Sequence, residues 1–216
     1  MQSGVEWLFR GQQIRALLTP GTGNGVVATF DHWKAGKDGF EPVRRQDWLA
    51  ERGLGHLSIQ TAGNDWYLNR DLGPAQVVLA RELAAFRNIR MIGFSMGGFG
   101  ALMFGAAIGA SEGLLVSPGL PRQFDKTDWL VRSARGPRYS IVYDPKIAVD
   151  VWRATSLAEL LPATRLLPLE GGGHPATGAI HRAGRFNAVR RVATGEITDP
   201  AFLSRVHARS SRALAL

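Results

Sequence analysis

The sequence predicts a three-layer α/β fold, with a mostly parallel sheet of eight strands, helices on both faces and no large lid domain. Three observations lead there. Short apolar runs of strand length alternate with helical stretches along nearly the whole chain. The run VVATF at 26–30 is continuously apolar, as a strand covered on both faces requires. Repeated strand–helix–strand units favour parallel pairing through right-handed crossovers.

The elements follow in order. Runs at 5–9 and 14–18, separated by Arg10-Gly11-Gln12, predict an antiparallel hairpin at the start. The turn cluster TPGTGNG (19–25) leads into strand 26–30. Residues 31–42 are polar and glycine-bearing, so they form a loop, and 43–52 a helix. Strand 57–62 (LSIQTA) is followed by a loop over 63–71. Over 74–86, Val77, Val78, Ala80, Leu83, Ala84 and Phe86 lie mostly on one side of a helix, and Pro74 suits its first turn. Strand 89–94 (IRMIGF) precedes a helix of small residues over 96–110, and GLLV at 113–116 is the next strand. Residues 119–138 make an irregular connection too short for a lid domain. Strand 139–143 (YSIVY), helix 151–161, strand 165–169 and two C-terminal helices complete the chain. At 216 residues, positions 1–216 read as one domain with a substantial core.

Composition narrows the function classes. Apolar residues make up 45% and charged residues 20%, the balance of a soluble globular protein. No run of eighteen apolar residues predicts a membrane span, and MQSGVEWLFRGQQ is not a secretory signal. Cysteine is absent, which excludes disulfides, thiolate catalysis and thiolate metal sites and favours the cytoplasm. The net charge of +8 raises the prospect of an anionic partner. Seven arginines follow residue 176: Arg182, Arg185, Arg190, Arg191, Arg205, Arg209 and Arg212. Solvated faces of amphipathic helices account for them more simply. No nucleic-acid motif is present and no aromatics interleave with these arginines, so a nucleic-acid partner is not expected.

The segment IRMIGFSMGGFGALMFGAA contains Gly93-Phe94-Ser95-Met96-Gly97. A G-x-S-x-G pattern is weak alone, but here a strand precedes it and a helix follows. Such a turn strains the serine and lifts its hydroxyl above the sheet beside a helix N-terminus. A structural serine or a phosphate-binding loop is the competing interpretation, but G-x-x-x-x-G-K-[ST] is absent. On this motif, and on the order of elements from strand 26–30 to His174, the chain resembles the α/β-hydrolase superfamily. The resemblance implies a nucleophilic Ser95, then an acid, then a histidine after the last strand. His174 follows strand 165–169 and Gly171-Gly172-Gly173, which leaves its imidazole free to reach the serine. Asp144, at the end of strand 139–143, is the favoured acid, with a turn before Pro145 as its structural explanation. Asp150 is the alternative, with capping of helix 151–161 as its structural explanation.

The resemblance also implies an oxyanion hole of two backbone N–H groups, from Met96 and from His32 in the loop after strand 26–30. The family often has His-Gly there, whereas this chain has Phe30-Asp31. Trp33, Trp66 and Tyr67 occupy loops on the same carboxyl edge, where ligands of open α/β sheets bind. They are candidate substrate contacts, with core packing as the alternative for each. TFDHW, NDWYLN, GFSMGGFGAL and YDPKIAVD are also similar to bacterial accessory secretion-system hydrolase-like proteins, which implies a polar, carbohydrate-type acyl substrate. The expected activity is therefore hydrolysis of an ester or thioester of a small molecule or glycan, with no metal or nucleotide cofactor. An acyltransferase would use the same parts, and a non-catalytic hydrolase-like scaffold is the alternative of another class.

Overall fold

A computed structural model of the protein describes residues 4–43, 46–121, 136–161 and 163–214. Eight strands form one sheet: β1 (Glu6–Arg10), β2 (Ile14–Thr19), β3 (Gly25–Phe30), β4 (Gly55–Thr61), β5 (Asn88–Phe94), β6 (Glu112–Val116), β7 (Arg138–Tyr143) and β8 (Thr164–Pro168). Their order is β1-β2-β4-β3-β5-β6-β7-β8. The β1–β2 and β2–β4 pairs are antiparallel, and every later pair is parallel. The chain reverses its direction of growth at β3, so β3 and β5 lie side by side in the centre. The carboxyl ends of these two strands meet at the switch point, where ligands bind in such sheets.

Among the described residues, seven helices accompany the sheet: α1 (Asp47–Ala50), α2 (Leu72–Glu82), α3 (Met96–Gly105), α4 (Ala148–Leu160), α5 (Gly178–Arg182), α6 (Asn187–Thr194) and α7 (Phe202–Leu214). Two apolar clusters form, one per face. Ile59, Met91, Phe99, Phe104, Leu115 and Ile141 lie in the first, and Val27, Ile92, Leu114, Val142, Val189 and Leu203 in the second. Alternation along β5 explains the split, because Ile89 and Met91 face one side and Ile92 the other.

Several expected elements differ. The helix expected over 43–52 is a single turn, α1, with Val43 outside it. The helix expected to reach 110 ends at Gly105, and turns follow. Three helices, not two, end the chain, because Gly184 and Gly195 take left-handed φ values of 68° and 79° and interrupt them. The expected connection over 119–138 lies largely outside the described residues. Helices α6 and α7 bury Val189, Val192, Ala193 and Leu203 in the second apolar cluster. Of their arginines, Arg190 lies over the rings of Trp48 and Phe186, Arg191 pairs with Glu196 and Arg205 with Asp199. Among the described residues, no helix is long and apolar enough to cross a membrane.

Candidate active site

The site is built from the sharp turn between β5 and α3. Ser95 sits there at φ 49° and ψ −118°, a conformation that L-residues adopt only when their surroundings enforce it. Three main-chain hydrogen bonds do so. The Ser95 N–H donates to the Val116 carbonyl at 3.0 Å, and the Ser95 carbonyl accepts from Gly98 at 3.0 Å and Gly119 at 2.9 Å. Glycine is required on both sides of the serine. A Cβ at Gly93 would stand 2.3 Å from the Gly97 carbonyl oxygen, and one at Gly97 would stand 2.9 Å from that of Phe30.

His174 comes from the loop after β8. Its Nε2 lies 3.1 Å from Ser95 Oγ. Its Nδ1 lies 3.1 and 3.2 Å from the two carboxylate oxygens of Asp150. The Asp150 side chain is sealed from solvent, whereas that of His174 is 36% exposed. The structure therefore brings together Ser95, His174 and Asp150.

Asp144, the favoured acid, does not join them. Its Oδ1 accepts the N–H groups of Lys146 (2.9 Å) and Gly171 (3.0 Å), and its Oδ2 accepts that of Gly173 (2.8 Å). Burial pushes the Asp144 carboxyl up, but the N–H donors of Gly173, Lys146 and Gly171 outweigh it and hold the group below its ordinary value. The bond to Lys146 closes a tight turn. The chain folds back at once, and α4 begins at Ala148, a turn earlier than expected. Asp150 thus lies inside the first turn of α4 rather than capping it, and Ile147 holds the cap position. There a carboxylate also faces the positive end of the helix.

Ser117 is a further structural member that the sequence did not single out. It is fully buried at φ 44°, and its Oγ accepts the Ala176 N–H at 3.0 Å, tying down the chain just after His174. Its signal was position alone, at the carboxyl end of the strand beside β5.

The candidate oxyanion donors flank this turn. Met96 is the first residue of α3, and the His32 loop packs on that same first turn, with the Asp31 carbonyl oxygen 3.0 Å from where a Gly97 Cβ would lie. Neither the Met96 nor the His32 N–H has an acceptor among the described residues. The His32 imidazole is held below its ordinary value, first by desolvation and then by Lys34.

The aromatic candidates divide. Trp33 is 53% exposed on the carboxyl edge. Trp66 is half-buried, edge-on to Phe99, and lies over Gly119, which bonds the Ser95 carbonyl. Tyr67, expected as a substrate contact, is fully buried in the core against Gly100 and Phe104. Trp66 and Tyr67 both have φ 60°, enforced by Asp65, whose Oδ1 accepts the Tyr67 N–H and the Thr61 hydroxyl. That kink turns one ring towards the site and the other inward.

A cavity of about 220 Å³ opens at the opposite, amino edge of the sheet, among Arg90, Glu112, Arg138 and Arg165. Glu112 there already bridges Arg90 and Arg138, and no nucleophile–base pair lines it.

No protein-family profile and no curated protein matches the chain. Solved structures do. A variant of the capsule O-acetyltransferase of Neisseria meningitidis serogroup A, in complex with CoA, superposes with a TM-score of 0.59 at 14% identity, covering 86% of this chain and 94% of that one. Est1E from Butyrivibrio proteoclasticus gives 0.53 at 15% identity, over 88% and 100%. A serine hydrolase without a lid from Xanthomonas campestris gives 0.53 at 16% identity, over 89% and 96%. At such identities the likeness speaks to architecture. With the strand order and the strained serine turn, it establishes that this chain has the α/β-hydrolase fold.

Proposed function

We propose that the protein is a serine hydrolase that cleaves a carboxylic ester or thioester through an acyl-enzyme. One observation carries this reading: the unbroken sequence of contacts from the sealed Asp150 carboxylate through His174 to Ser95 Oγ, at 3.1 Å for each link. Asp150 accepts the Nδ1–H of His174, which leaves Nε2 as a proton acceptor facing the serine. Ser95 Oγ attacks the substrate carbonyl while Nε2 takes its proton, and the carbonyl π-electrons move to oxygen. The N–H groups of Met96 and His32 receive that oxyanion. Such donors matter because each lost one typically costs about 3–4 kcal/mol of transition-state stabilisation. The tetrahedral intermediate collapses, and the protonated His174 passes its proton to the leaving alcohol or thiol. Water then attacks the acyl-serine, again with His174 as base, and Ser95 is restored.

The acyl group sits on a small molecule or a glycan, with Trp33 and Trp66 as its aromatic contacts at the carboxyl edge. The cysteine-free chain works without an oxidising compartment, and we assign it to the cytoplasm. Turnover of p-nitrophenyl acetate tests the reading. Ser95→Ala should remove that turnover and leave the thermal midpoint within a few degrees, because the hydroxyl donates to nothing that holds the fold. Wild-type-like turnover in the variant would end the assignment of Ser95. Adding a simple alcohol or sugar to the same assay reports whether water alone accepts the acyl group.

A further inference from the structure

The loop after β3 lacks the His-Gly pair common in this fold, and its geometry is held by side chains instead. Asp31 is the anchor. Its Oδ2 accepts the Thr61 N–H at 3.2 Å and pairs with Lys37 Nζ at 2.6 Å. The Lys37 and Asp31 side chains are only 2% and 16% exposed, so this ion pair is largely shielded from solvent. The Asp31 carbonyl accepts the Tyr67 hydroxyl at 3.1 Å. Tyr67 is fully buried, and burial drives its hydroxyl well above its ordinary value, so it is a permanent donor. Two residues past His32, the Lys34 N–H donates to Asn64 Oδ1 at 3.1 Å, and Asn64 Nδ2 donates back to the Lys34 carbonyl at 2.7 Å. His32 is therefore suspended between two clamps.

The Asp31 carbonyl and the His32 N–H belong to one planar, trans peptide, in which they point in opposite directions. Whatever fixes the carbonyl fixes the aim of the N–H. We infer that Tyr67 and the shielded Asp31–Lys37 pair are positioning residues for oxyanion stabilisation: together they orient the Asp31–His32 peptide so that its N–H is presented at the nucleophile turn. This rests on the hydrolase reading above. Tyr67 touches no substrate in this scheme; its hydroxyl reaches the Asp31 carbonyl at 3.1 Å and, at 3.3 Å, the Ile59 carbonyl of β4, which ties the peptide to the sheet.

Tyr67→Phe removes that link and leaves the packing against Gly100 and Phe104 intact. The expected result is a fall in kcat for p-nitrophenyl acetate of about 10- to 100-fold with KM unchanged, the scale of a misplaced catalytic group. The inhibition constant of a trifluoromethyl ketone, whose adduct with serine carries an oxyanion, should rise by the same factor. A merely structural role would lower the thermal midpoint without this matched change. Asp31→Asn combined with Lys37→Met removes the ion pair without leaving either charge buried alone. It should reproduce the pattern, and it decides the matter if Tyr67→Phe does not fold. Folded variants that keep wild-type kcat and wild-type inhibition, in a wild-type protein that turns over, would overturn this inference while leaving Ser95 and His174 in place. A wild-type protein with no turnover and no inhibitor adduct would remove the hydrolase reading, and this inference with it.

Discussion

At the scale of single side chains, Asp144 and Asp150 are six positions apart in sequence and do different physical jobs. Asp150 has one partner of consequence, the Nδ1 edge of His174, and no contact with solvent. Asp150→Asn offers the imidazole an amide that can hold the wrong tautomer, so kcat should fall about 10³- to 10⁴-fold with little change in stability. Asp144 instead satisfies three backbone N–H groups that shape the turn into α4 and the loop carrying His174. Asp144→Asn keeps one acceptor oxygen and loses the other. Leaving a donor unsatisfied costs roughly 1–3 kcal/mol, or about 2–12 °C of thermal midpoint for a chain of this length, with a kcat loss far below that of Asp150→Asn. Paired kinetics and thermal melts check both, and a severe kinetic loss at Asp144 with near-normal activity at Asp150 would reverse the roles. Ser95 and His174 were legible in the sequence because local signals mark them, G-x-S-x-G in one case and three glycines after a strand in the other. The contact of Asp150 with His174 was not: a strand end looks like the direct route to the carboxyl edge, and although Asp144-Pro145 signals a turn, where that turn sends the following residues depends on packing.

At the scale of elements, the β5–α3 turn shows how closely backbone packing sets the site. The Gly97 carbonyl occupies the space that a side chain at 93 would need. Gly93→Ala therefore forces backbone to move, since the obstacle is main chain and not a flexible side chain. A destabilisation of about 1–3 kcal/mol is expected, together with a loss of activity as Ser95 leaves its position. Chemical denaturation alongside turnover checks this, and a variant with unchanged midpoint and activity would show that the turn tolerates the methyl group. The strands and this elbow were legible because apolar runs and flanking glycines are local signals. The short α1 and the early start of α4 were not. Neither boundary carries a capping side chain, since Gln46 and Ile147 hold the cap positions without a side-chain hydrogen bond, and tertiary contacts decide such boundaries.

At the scale of the whole molecule, the sheet places one titratable group where protonation works against folding. His56 lies in β4, buried, with Nε2 2.8 Å from Thr29 Oγ1 on neighbouring β3. Burial pushes its imidazole down to about 4, whereas the unfolded chain binds that proton near 6.5. The unfolded state thus takes up the proton first. Stability contributed by the neutral ring is full above about pH 6.5 and is lost as the pH falls towards about 4, by roughly 3 kcal/mol. Urea melts across that range should show this slope, and His56→Gln should flatten it. An unchanged slope in the variant would assign the acid sensitivity elsewhere. The net charge of +8 was visible from the outset, but its layout was not. The structure uses part of it in pairs such as Arg90–Glu112, Arg165–Asp199 and Arg191–Glu196, lays Arg190 over Trp48 and Phe186, and leaves Arg209 and Arg212 exposed. Covalent labelling is the sharpest probe of the nucleophilic role proposed for Ser95 at the carboxyl edge. A fluorophosphonate followed by intact mass and peptide mapping should give one adduct, on Ser95, absent in Ser95→Ala and formed orders of magnitude more slowly in Asp150→Asn. An unlabelled wild-type protein, or an adduct that persists in Ser95→Ala, would contradict that role.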